Sequence, residues 1–121
     1  MTDEKSKETL KFIAVLIKIL IDKKAVDIVK CDLRNIENSV CDFFIICSGT
    51  SSIHIKSLSD VLYKELRKKL KIAPWHIEGM ENCEWVLLDY VDVVVHIFNE
   101  NARDFYKLEE LWADAEMKML K

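Results

Sequence analysis

From Trp85 to Phe98 the chain is apolar except for Asp89, Asp92 and His96. Such a density of valine, isoleucine and aromatic residues suits a pleated, buried surface, and the two aspartates mark the junction between two strands. This segment constrains the fold more than any other. Two neighbouring strands this apolar must lie within a sheet, and other elements have to cover that sheet.

The remaining sequence supplies those elements. Leu10, Phe12, Ile13, Leu16, Ile17, Leu20 and Ile21 recur at three- and four-residue spacing, which predicts a first helix with a broad apolar stripe. Residues 26–33 alternate as a half-buried strand, with Val29, Cys31 and Leu33 on one face, and residues 40–47 read as a central strand buried on both faces. A turn of small residues, 48–52, then leads into a helix marked by Ile55, Leu58, Val61, Leu62, Leu66 and Leu70, for which Ser51 or Ser52 can act as N-cap. Pro74 and Gly79 punctuate an irregular connection with room for one short strand around Trp75 to Glu78. Asn99 caps the last helix, Glu100 sits at its positive end, and Ala102, Phe105, Leu108, Leu111 and Trp112 form its packing stripe. The order α-β-β-α-β-β-α predicts an α/β (α+β) fold: a two-layer mixed sheet of four or five strands with about three helices over one main face. We expect a single domain over 1–121, with 1–7 and 115–121 loose.

At 121 residues, half of them apolar, the chain is long enough for one core and too short for two comfortable domains. Its formal net charge of -3 argues against a protein that holds nucleic acid chiefly by neutralising phosphates, and favours a folded-protein partner. The apolar stretch 12–21 carries Lys18 and falls short of the roughly 20 residues of a membrane span, and no basic leader with a cleavage site precedes it. A cytoplasmic protein without a membrane association is expected. Cys31, Cys41, Cys47 and Cys83 have no C-x-x-C spacing and sit mostly among strand residues, as buried free thiols do.

Several groups of residues compete as functional sites. Gly49, Thr50, Ser51 and Ser52 precede a helix whose amides favour an anion, although the same turn is needed simply to redirect the chain. Such a turn resembles the start of the nucleotidyltransferase fold, but the Asp-x-Asp pair of that fold is missing, since Asp89 and Asp92 lie three apart. His54, His76 and His96 have no metal-ligand spacing, so no metal, cofactor or catalytic group is expected. His96 reads as sharing a strand face with Asp92, Val94 and Phe98, in a structural or partner-contacting role. Lys64, Arg67, Lys68, Lys69 and Lys71 suit a solvated helix end, or an auxiliary contact with RNA phosphates. The constellation favoured for partner binding is Trp85, Asp89, Asp92, His96, Glu100, Arg103, Tyr106 and Trp112, because arginine, tyrosine and tryptophan dominate binding hot spots.

Those last residues also carry a family resemblance. Residues 24–27 (Lys-Ala-Val-Asp), 42–44 (Asp-Phe-Phe), 47–52, Glu78 with Gly79, 85–89, 92–96 and 106–112 together resemble the ribosomal silencing factor, or Iojap, family over roughly residues 10–114. The resemblance implies a nucleotidyltransferase-like fold and a translation repressor that is not an enzyme. It implies binding to universal ribosomal protein fourteen of the large ribosomal subunit, exclusion of the small subunit, a role in large-subunit assembly for some members, and homodimers. Where the family usually has glycine between the two aspartates this chain has Val91, so the turn there is expected to differ in shape. A degenerate nucleotidyltransferase-like domain holding a nucleotide or phosphate at Gly49 to Ser52 is the alternative.

Overall fold

A computed structural model describes residues 3–120. In chain order the elements are α1 (Asp3–Asp22), β1 (Val26–Asp32), β2 (Phe43–Ser48), α2 (Ser52–Leu70), β3 (His76–Glu78), β4 (Trp85–Asp89), β5 (Val93–Phe98), α3 (Glu100–Tyr106), α4 (Leu108–Leu111) and β6 (Glu116–Met119). The strands form one sheet in the order β3-β4-β5-β2-β1-β6. Only β2 and β5 run parallel, and every other neighbouring pair is antiparallel. That parallel pair lies at the centre, and all twelve of its positions are buried, as the unbroken apolar runs require.

One face is sealed by α1 and α2. Leu16, Leu20, Leu62 and Leu66 pack there against Ile45, Val86, Val95 and Ile97. The start of α2 is fixed by Ser51, whose Oγ accepts the His54 amide at 3.0 Å. Gly49 is glycine for a packing reason: a Cβ there would stand 2.6 Å from Cγ1 of Ile55. The helix ends at Lys71 in the left-handed conformation, with Arg67, Lys68 and Lys69 in its last turn, where the dipole favours cations.

Four features differ from the sequence reading. The sheet has six strands, because β3 is a true strand and Glu116–Met119 pairs with the open edge of β1. In β1, three steps from Val26 to Val29 match two on β2, and Asp27 takes a φ of 50°, a bulge that interrupts the simple alternation. The expected last helix is broken at Lys107, whose φ of 49° closes α3 and opens α4. Leu108 then turns back onto the sheet while Phe105 and Leu111 stay exposed. Of the termini expected to be loose, 3–7 belong to α1 and 116–119 to β6; positions 1, 2 and 121 lie outside the described residues.

Candidate functional site

The face turned away from α1 and α2 is laid out by alternation in β4. Val86 and Leu88 point to the helices, so Trp85, Leu87 and Asp89 stand on the other side. Register with β5 and β2 extends each into a cross-strand row: Trp85, Phe98, Ser48; Leu87, His96, Ile46; and Asp89, Val94, Phe44. Ala102 of α3 and Leu108 of α4 pack onto this side, together with Trp112, and Tyr106 sits 4.9 Å from Trp85 between ring centroids. They cover the first row, and Trp112 also reaches Phe44 of the third. Phe44, Leu87, Asp89, Val94 and His96 line a groove of about 450 Å³. Around it stand Val40, Trp75 and Val91, which are 72%, 78% and 61% exposed.

Ring contacts run without a gap across this half-covered face. Phe105 meets Tyr106 at 5.0 Å, Trp85 stacks on Phe98 at 4.8 Å, His96 meets Phe44 edge-on at 4.5 Å, and Phe44 meets Trp112 at 5.7 Å. At the centre, Trp85 Nε1 donates to His96 Nδ1 at 3.0 Å. Because an indole nitrogen only donates, Nδ1 is bare and the neutral ring carries its proton on Nε2. Burial pushes the His96 pKa down to about 4, so the ring is neutral near pH 7. Its Nε2 is buried with no hydrogen-bond partner among the described residues.

The expected site residues are thus only partly brought together. Trp85, His96, Tyr106 and Trp112 belong to the ring network, and Asp89 lines the groove. Asp92 does not share the face of His96. It precedes β5, where strand alternation does not reach, and its carboxylate lies 3.8 Å from Lys5 of α1. Glu100 is exposed in the first turn of α3, outside the groove, beside the 49–52 turn. Arg103 is occupied internally: its guanidinium donates to both Glu109 oxygens at 3.1 and 2.9 Å and to Ser48 Oγ at 2.8 Å, bridging the α3–α4 break.

Val91 takes the positive φ that glycine would take more readily. It adopts a φ of 77°, and the Asp92 amide donates to the Tyr90 carbonyl at 3.0 Å, closing a three-residue γ-turn around it. Asp89 Oδ1 accepts the Val91 amide at 2.8 Å and holds this turn. Trp75 and Val40 were not singled out by sequence; the usable signal for Trp75 was a large aromatic beside Pro74 in a segment without periodicity. Gly79, at φ 89°, shapes the same region, since a Cβ there would collide with the Trp85 carbonyl oxygen at 2.0 Å.

The other candidates have local explanations. The Gly49 amide donates to Phe98 O and the Thr50 amide to His54 Nδ1, both at 2.9 Å, so two donors of the supposed anion turn are already used. No cluster of three or more potential ligands for a metal occurs among the described residues. Burial pushes the thiol pKa of Cys31 up to about 11 and those of Cys41 and Cys47 up to about 12, which leaves them as unreactive core groups. The basic cluster lies on α2, in the layer opposite the groove, where Lys69 pairs with Glu65 and Arg67 donates to Tyr63. Among the described residues, no helix is long and apolar enough to cross a membrane.

A six-stranded mixed sheet with two long helices on one face and two short ones over part of the other defines an α/β domain with a groove on its second face. Comparison with known proteins narrows this class. Residues 4–121 match the family described as "Ribosomal silencing factor during starvation". The chain is 39% identical to ribosomal silencing factor RsfS of Halalkalibacterium halodurans over 94 residues, covering 78% of this chain and 79% of that protein. It is 38% identical to the Bacillus subtilis RsfS over 94 residues, 78% of each chain. It is also 31% identical to the mouse protein named "Mitochondrial assembly of ribosomal large subunit protein 1" over 102 residues, 83% of this chain and 44% of that one. A crystal structure of a Chromobacterium violaceum protein superposes with a TM-score of 0.79 at 30% identity, covering 93% of this chain and 92% of its own. The chain belongs to the ribosomal silencing factor family.

Proposed function

We propose that the half-open sheet face docks on universal ribosomal protein fourteen of the large ribosomal subunit, and that the docked domain keeps the small subunit from joining, which represses translation in the cytoplasm. The observation that carries this reading is the groove with its exposed apolar rim: Val40, Trp75 and Val91 offer contact area to a partner, over a floor in which ring contacts hold Phe44 and His96 in place. The mechanism is steric exclusion and involves no catalysis or cofactor. The acidic balance of the chain leaves ribosomal RNA a secondary role, through Lys64, Arg67, Lys68, Lys69 and Lys71 on the opposite layer. The name of the mouse relative supports an additional part in assembling the large subunit, on which the same face would be used.

Sedimentation of the protein with separated large subunits, small subunits and joined ribosomes tests the proposal, with subunit rejoining followed in the same gradients. Pelleting with the large subunit alone, together with blocked rejoining, is the expected result. Binding to neither subunit would overturn it and return the Gly49 to Ser52 turn, with a nucleotide, to first place. A second copy of the chain is the competing partner, through this face or through the exposed edge strands β3 and β6, and a dimer that dissociates on adding large subunits would identify a shared surface.

A further inference from the structure

Of the non-glycine residues held at positive φ among the described residues, Val91 alone is β-branched; the others are lysine, aspartate, asparagine and cysteine. A β-branched side chain in this region is a genuine outlier, because its Cβ substituents crowd the adjacent peptide groups. Glycine would adopt the same φ without that crowding. Nothing in the core compensates for the valine, which is 61% exposed and contributes to neither buried cluster. The backbone around it is nevertheless held firmly, by the Asp89 carboxylate on its amide and by the Tyr90–Asp92 hydrogen bond. An unfavourable, solvent-exposed conformation that two hydrogen bonds maintain tends to be kept for what its side chain does.

The position of the side chain indicates what that is. Val91 stands on the rim of the groove with Val40 and Trp75, each raised by a different connection: the one before β2, the one before β3 and the β4–β5 turn. The three surround a floor that includes Phe44, Leu87 and Val94. We propose that Val91 is a specificity-determining contact of the docking face, an apolar knob that packs against an apolar surface of the large-subunit protein. Asp89 is the positioning residue that presents it. This inference rests on the docking reading above and adds which residue at the β4–β5 corner reads the partner. Asp89 Oδ1 accepts the Val91 amide and so fixes the corner, while the exposed Val91 side chain supplies its apolar contact.

The test uses the full chain, purified large subunits from its own source, and two variants, Val91→Gly and Val91→Ala. Glycine relieves the strain, so its melting temperature should rise by roughly 3–10 °C, which removes misfolding as an explanation of any lost binding. Both variants should bind large subunits about five- to twenty-fold more weakly, the loss expected when one valine side chain no longer buries its apolar surface. Wild-type affinity in both variants overturns the knob while leaving docking intact. A wild-type chain that ignores large subunits overturns both readings together.

Discussion

Under α1 and α2 the sheet presents Ile45, Val86, Leu88, Val95 and Ile97, all essentially inaccessible and aliphatic, whereas on the reverse side the same strands present Phe44, Leu87, Asp89, His96 and Phe98. Each pair of residues differs by one position in sequence, yet the two faces have different work. The aliphatic face is closed and contributes stability through area removed from water. The aromatic face is covered only at the end reached by α3 and α4, and it contains a neutral histidine with an unpaired donor and a valine in an unfavourable conformation. The closed side has irregularities of its own, a buried Tyr90 hydroxyl without a partner among the described residues and Cys83 at a φ of 54°, but its sheet residues leave no large apolar side chain at the groove-rim exposure of Val40, Trp75 and Val91.

The largest effect that separates the faces should come from the closed one. Substituting alanine for Leu62, fully buried on the sheet-facing side of α2, should cost about 3 kcal/mol of stability, through lost transfer energy plus the cavity left behind. Denaturant unfolding measures this, and the folded fraction should still bind large subunits with wild-type affinity. Reduced affinity in fully folded Leu62→Ala protein would break the division of labour between the faces.

Acid should act on the open face next. His96 titrates near 6.5 in an unfolded chain and at about 4 in the folded one, so protonation favours unfolding. Its contribution is complete above pH 6.5, declines as pH falls, and is lost by about pH 4, a change of about 3 kcal/mol. Stability curves at pH 7 and pH 4 should therefore lie closer together in His96→Gln, whose amide can still accept from Trp85 but takes up no proton. An unchanged separation would place the acid sensitivity elsewhere.

Arg103 tests whether the cover over the first row belongs to the fold or to the partner. Its side chain is 12% exposed and holds Glu109 and Ser48 at once, so Arg103→Ala should cost about 2 kcal/mol by leaving both without their charged donor. Lysine should restore only part of this, since it keeps the charge without the planar fork. Full stability in Arg103→Ala would return the residue to the docking surface, where the sequence had placed it.

Arg103 also illustrates how far the sequence could be read. The strands, their buried faces, both long helices and the caps Ser51 and Asn99 follow from periodicity and side-chain chemistry, which act over a few residues and are visible in one chain. The pairing of Arg103 with Glu109 was hidden because six residues separate them and they meet only through the left-handed Lys107, which no local pattern marks. The same holds for β6, a short exposed strand that exists because β1 offers an unpaired edge, and for Asp92, which looked like a strand residue until the turn ended alternation before it. The groove was half legible. Asp89 and His96, both singled out from the sequence, line it, and Trp85, Tyr106 and Trp112 belong to the ring network beside it, but the rim is assembled from three connections whose convergence is set by topology alone.

Trp75 sharpens the comparison through an effect that should be almost absent from the fold. At 78% exposure it contributes little buried area, and its closest ring neighbour is the exposed His76 at 6.1 Å. Trp75→Ala should therefore change stability by less than about 0.5 kcal/mol, the range of an ordinary surface substitution. On docking, the indole should lose most of its solvent contact against the partner, and truncating it should weaken binding to large subunits about tenfold or more. The two measurements together decide what an exposed tryptophan is for. Lost stability without lost binding would make Trp75 part of the fold, and unchanged binding would shift the contact surface toward Phe105, Tyr106 and Leu111, the exposed apolar residues of α3 and α4.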